Sequence, residues 1–140
     1  MEYTPERLTT LPGSNYVFVF GSNLAGSHGA GAAKDAVTKF GAVYGIGVGH
    51  VGQSFAIPTK DFRGLHGSKN VLSLQHIKVY VDLFESYATH HPEYIFIVTK
   101  IGCGLAGYSS EDIAPLFRVT YLKAPNCIWP EDWVKIFNEN

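Results

Sequence analysis

Two glycine-rich stretches and one lysine carry the chemistry this sequence could do. Residues 21–31 read G-S-N-L-A-G-S-H-G-A-G, and residues 102–108 read G-C-G-L-A-G-Y; each follows a short apolar, β-prone run. A glycine loop between a strand and a helix turns bare backbone N–H groups and a helix N-terminus toward whatever sits in it. Such a place suits an anion, above all a phosphate. Two of them in 140 residues suggest one ligand held from both sides, a nucleotide diphosphate. Gly21, Ser22, Asn23, His28, Gly29, Ala30 and Gly31 are the ligand-binding candidates of the first loop. Gly102, Cys103, Gly104, Leu105, Ala106, Gly107 and Tyr108 are those of the second.

Lys60 and the adjacent Asp61 are the catalytic candidates. A lysine amine can be a nucleophile when neutral, and a nearby diphosphate works against that by favouring the ammonium. Lys60 therefore has three readings: nucleophile, counter-ion to a phosphate, or surface lysine. Adjacent side chains often point apart, so Asp61 is not assigned as its acid. Asn23 sits where strand, glycines and helix converge, although asparagine also serves turns. His28 could reach a ligand or be a solvated loop residue. Cys103, between two glycines, resembles a nucleophile elbow but has no assignable base; a buried free cysteine is usually inert. His50 and His66 read as loop residues. No Cys/His/acid cluster has zinc spacing, so neither metal nor cofactor is expected.

One motif is refused. Gly47-Val48-Gly49-His50-Val51-Gly52 matches G-x-G-x-x-G, yet the dinucleotide fingerprint needs a strand before it and a helix after it. Here glycines precede it and a strand follows. Residues 41–52 read as irregular, a candidate flap over the ligand. No G-K-S or G-K-T is present either.

The elements that must position these residues alternate. Residues 16–20 read as a strand buried on both faces. Residues 32–40 read as a helix ended by Gly41, and 53–57 as a strand stopped by Pro58. Ser73 caps the longest helix, 74–89. Residues 94–98 are the third strand, and Ser109 or Ser110 with Glu111 and Asp112 starts a helix that Pro115 should bend or shorten. Residues 127–129 form a last strand and 130–137 a short helix. Residues 1–15 read as a polar lead-in, 16–129 as the core. Trp129, Trp133 and the strand aromatics read as packing. The pattern predicts a single α/β domain with a mixed, mostly parallel sheet.

The bulk numbers bound the rest. A formal net charge of −1 argues against a broad grip on nucleic acid. Two cysteines do not read as a disulfide framework. No secretory leader is visible, and apolar runs of about five residues fall far below the ~20 that span a bilayer. Cytoplasmic location and no membrane partner are expected.

At the two loops the chain resembles the macrodomain superfamily, whose members bind ADP-ribose, and within it the terminal ADP-ribose protein glycohydrolase branch. The stretches that carry this are G-A-G-A-A-K-D-A-V-T-K-F-G at 29–41, F-A-I-P-T-K at 55–60 and I-G-C-G-L at 101–105. The string F-G-S-N-L-A-G-S-H-G-A-G also resembles small bacterial and phage proteins. The resemblance implies an α/β/α sandwich, ADP-ribose or an ADP-ribosylated macromolecule as partner, and removal of ADP-ribose from an adduct as activity. It implies that Asn23 lies near the distal ribose and that Gly29, Ala30 and Gly31 let the backbone approach it. It implies that Gly102, Cys103, Gly104, Leu105 and Ala106 ring the diphosphate, that Tyr108 stacks on a ribose, and that Lys60 is the nucleophile. The branch has an acid directly after G-C-G-L; this chain has Ala106 there. A non-catalytic ADP-ribose reader and an ADP-ribose phosphate phosphatase are the alternatives.

Overall fold

The computed structural model describes residues 1–63 and 70–139. The elements run β1 (Tyr16–Asn23), α1 (Gly31–Lys39), β2 (Gly49–Val51), β3 (Ser54–Lys60), α2 (Leu74–His90), β4 (Ile95–Val98), α3 (Ser110–Ile113), a 3₁₀ turn (Ala114–Phe117), α4 (Arg118–Lys123), β5 (Cys127–Ile128) and α5 (Glu131–Phe137).

The strands form one mixed sheet in the order β2-β3-β1-β4-β5. β3 and β4 flank β1 in parallel, β5 runs parallel to β4, and β2 alone is antiparallel, against β3. This is the α/β class that the alternating elements predict.

Alternation along β1 explains the layers. Val17 and Val19 face a core with Ile77, Val81 and Phe84 of α2 and with Phe117 and Trp133. Phe18 and Phe20 face the opposite core with Ala33 and Ala36 of α1 and with Phe40. A strand covered on both sides has no polar face, hence its unbroken apolar run. The chain passes from β1 to β3 on one side, then crosses to β4 on the other. The strand order thus reverses at β1, and such a switch point leaves a crevice beyond the strand ends.

Three expectations need correction. β1 continues through Gly21 and Ser22 to Asn23, because these residues keep pairing with β3 as far as Lys60. Pro58 does not stop β3. β2 covers the outer flank of β3 only along Ser54–Ala56, so the missing N–H of Pro58 breaks no bond to β2. Residues 49–51, expected to be irregular, pair as β2. Residues 49–52 of the refused motif thus lie in an antiparallel hairpin. Pro115 acts as expected: the helix begun at Ser110 tightens into the 3₁₀ turn before α4.

Candidate functional site

A cleft of about 1410 Å³ opens beyond the C-terminal ends of β1, β3, β4 and β5. It brings together most of the residues singled out from the sequence. Gly21, Ser22, Asn23, Gly29, Ala30, Gly31 and Lys60 line it, as do Gly102, Cys103, Gly104, Leu105 and Ala106. The two loops meet at its floor, where a Cβ on Gly21 would lie 3.4 Å from the Gly102 nitrogen.

The first loop is held by hydrogen bonds from within it and from residues 44–47. Asn23 Nδ2 donates to the Ser27 carbonyl (2.8 Å) and its Oδ1 accepts the Ser27 N–H (2.9 Å). Residues 43–47 support the loop from outside the cleft. Gly45 N–H donates to Gly26 O (2.9 Å), and the Tyr44 hydroxyl to His28 O (3.0 Å). Ser22 Oγ donates to Gly47 O (2.5 Å). Gly47 fits so closely that a Cβ there would stand 2.0 Å from Asn23 O. No residue of 41–52 lines the cleft, so the segment is a buttress and not the expected flap. His28 belongs to the same buttress. It is fully buried against Phe20 and Tyr44, with Nε2 donating to Ile46 O (2.9 Å). It is therefore neither a cleft residue nor a solvated one.

Backbone donors without a partner belong to residues on both sides of the cleft. α1 begins without a side-chain cap: Ala30 is extended and has no side-chain oxygen, and no acid follows in the first turn. The N–H groups of Gly31, Ala32 and Ala33 therefore find no acceptor within the helix, and all three residues line the cleft. By contrast, Ser73 caps α2 and a Ser109–Asp112 capping box closes α3. Across the cleft, the N–H groups of Gly104, Leu105 and Ala106 donate to no acceptor among the described residues. Residues with unpartnered backbone N–H groups thus line both sides of one cleft, a composition that suits an anion.

The charged side chains balance more evenly. Lys100 pairs with Asp132 (3.3 Å) and Arg7 with Asp35 (3.6 Å) at the rim. Lys60, at the end of β3 opposite Asn23, lines the cleft with Nζ 5.4 Å from the centre of the Phe62 ring. Asp61 does not line it. Its carboxylate accepts from Arg63 Nε (2.6 Å), whose guanidinium holds the carboxyl below the usual carboxylate range. Asp61 thus pairs with Arg63 away from the cleft lining, and that pairing favours its ionised form over the acid a proton donor needs.

Two second-loop candidates fall outside the cleft. Tyr108 turns toward the start of α2, its hydroxyl donating to Leu72 O (2.6 Å), and Gly107 carries the turn at φ 85°. Tyr108 does not line the cleft. Cys103 does line the cleft, but burial raises its thiol pKa while Ser110 and Lys100 pull the other way. The thiol is not activated. His50 sits in β2 with Nε2 donating to Gly52 O (2.8 Å) and its ring on Tyr94. His66 lies outside the described residues. Trp129 and Trp133 are buried in the core.

The sequence reading missed the wall built by residues 4–8. Thr4 Oγ1 donates to Val98 O (2.7 Å), and Thr4 N–H to Trp129 O (2.9 Å). The polar lead-in is therefore fastened across the ends of β4 and β5, and Leu8 joins the core. Lys100 was findable, being two residues past a strand end; Thr4 carried no signal.

No protein-family model, curated protein or solved structure matches this chain. Among the described residues, no group of three His, Cys, Asp or Glu could hold a metal ion, and no helix is long and apolar enough to cross a membrane.

Proposed function

We propose that the cleft binds ADP-ribose or a closely related NAD-derived nucleotide, gripping its diphosphate between the two glycine loops. One observation carries the reading: the uncapped start of α1 lines the same cleft as Gly104, Leu105 and Ala106, whose N–H groups have no acceptor among the described residues. Backbone dipoles of this kind neutralise a phosphate without clustered arginines, in keeping with the near-zero net charge. The cleft exceeds the roughly 300–1,000 Å³ of an ordinary small-ligand pocket, which suits an extended molecule. The choice of ADP-ribose rests on the likeness of the two loops to macrodomain loops.

Binding without turnover is the favoured form. Asp61 is committed to Arg63, and Ala106 has no carboxyl. Lys60 then serves as a cation at the ligand's edge. Hydrolysis of an ADP-ribose adduct is the second reading, kept by the position of Lys60 in the cleft.

Calorimetric titration with ADP-ribose, using AMP and NAD as comparators, tests the proposal. Saturable binding of ADP-ribose at micromolar strength, with AMP clearly weaker, is the expected result. Absence of ADP-ribose binding overturns it. Incubation with an ADP-ribosylated protein separates the forms: release of ADP-ribose would replace the binding reading with the hydrolytic one.

A further inference from the structure

We propose that Phe62 is the stacking platform of the cleft, on which a flat ring of the bound nucleotide lies; this rests on the functional reading above. Phe62 is the one non-glycine residue at positive φ (59°) among the described residues. A bulky side chain rarely adopts that conformation, and it persists only where the surroundings fix it. The chain leading into it is held: Leu24 N–H donates to Lys60 O (2.9 Å) and Ala25 N–H to Asp61 O (3.2 Å), which pins the chain to the first loop up to residue 61. The Asp61 side chain then pairs outward with Arg63 while Phe62 lines the cleft.

The ring is half-buried and faces the side chain of Lys60, itself a cleft residue. A π-face that attracts an ammonium is one that a nucleobase or the apolar face of a sugar can cover. Among the described residues the other aromatic that lines the cleft is Phe18, and it is buried in the core. Trp129, Trp133 and Tyr108 do not line it. Position agrees as well. Phe62 follows β3, and the second loop follows β4, with β1 between them. At about 4.8 Å per strand the separation is roughly 10 Å, the scale of a ring joined to a diphosphate through a sugar.

The backbone makes the test clean. Phe62→Gly removes the ring and relieves the positive φ, so folding should hold or improve. Phe62→Trp keeps a ring, and Phe62→Leu keeps bulk at the same backbone without a π-face. Calorimetry with ADP-ribose, AMP and ribose 5-phosphate, alongside thermal melting, is the experiment. We expect Phe62→Gly and Phe62→Leu to weaken ADP-ribose about tenfold or more while Phe62→Trp retains it. Of the two fragments, the one whose binding falls with the ring identifies what stacks: AMP the base, ribose 5-phosphate the sugar. Unchanged ADP-ribose affinity in Phe62→Leu, or in a Phe62→Gly variant that melts normally, overturns the inference. Should the unsubstituted protein bind none of the three, the functional reading falls and takes this one with it.

Discussion

The side-chain amide of Asn23 and the backbone of Ser27 close on each other through two hydrogen bonds, at 2.8 and 2.9 Å. Asn23 was expected to serve a ligand, and it does line the cleft, but both ends of its amide already hold the first loop shut. Asn23→Ala therefore removes both bonds and returns the exposed Ser27 groups to water, at a cost of about 0.5–1.5 kcal/mol per bond. Asn23→Asp keeps the acceptor but sets a carboxylate oxygen against the Ser27 carbonyl. Both should lower the midpoint of chemical denaturation. A midpoint unchanged in both variants would mean that the loop does not depend on this pair.

Glycines around the cleft separate folding from binding. A Cβ on Gly47 would stand 2.0 Å from Asn23 O, whereas one on Gly104 meets nothing within 4 Å. Gly47→Ala should cost at least about 1–3 kcal/mol by overpacking, read as an early thermal melt. Gly104→Ala should shift stability by less than about 0.5 kcal/mol yet weaken ADP-ribose several-fold, because the methyl occupies space the ligand needs. Undiminished affinity in Gly104→Ala would remove that backbone from the binding surface.

Lys60 is tested by charge and by chemistry. Losing a charged hydrogen-bond partner costs about 1.5–3 kcal/mol, so Lys60→Ala should weaken ADP-ribose tenfold or more while Lys60→Arg largely retains it. Neither variant, nor the unsubstituted protein, should release ADP-ribose from a modified protein. Turnover that disappears in both variants would make the lysine a nucleophile.

The thiols give a pH dependence. Burial pushes Cys127 up to about 12 from an ordinary value of 9.0 and raises Cys103 as well. Above about pH 9 the unfolded chain loses thiol protons that the folded protein keeps, so stability falls with rising pH through the window up to about 12. Iodoacetamide should alkylate both cysteines slowly at pH 7, since only the thiolate reacts. Cys103→Ser should leave ADP-ribose binding unchanged. Fast alkylation of Cys103 at pH 7 would contradict its shielded setting.

The apolar runs and caps were readable because their causes are local. Alternation in β1, the Ser73 cap and the Pro115 break each depend on a few neighbouring residues. Pro58 was misread because its tolerance depends on where β2 ends, a fact set by a different strand. His28 and Tyr108 were misread for a related reason. Their partners, Ile46 and Leu72, lie 18 and 36 residues away, and no spacing rule announces a carbonyl waiting at that distance. The glycine loops came through because strand, loop and helix are consecutive. Phe62 went unremarked, since a backbone angle leaves no trace in an amino-acid letter.

The wall at Thr4 bears on how the molecule is made. Its acceptors, Val98 and Ile128, are separated from it by 94 and 124 residues in the chain. During synthesis from the N-terminus, the segment has nothing to fasten to until β4 and then β5 have emerged. Contacts of such separation form late, after closer ones have cut the entropy of closing so long a loop. Thr4 would thus be made well before the strands that hold it, and would be among the last parts of this fold to find its place.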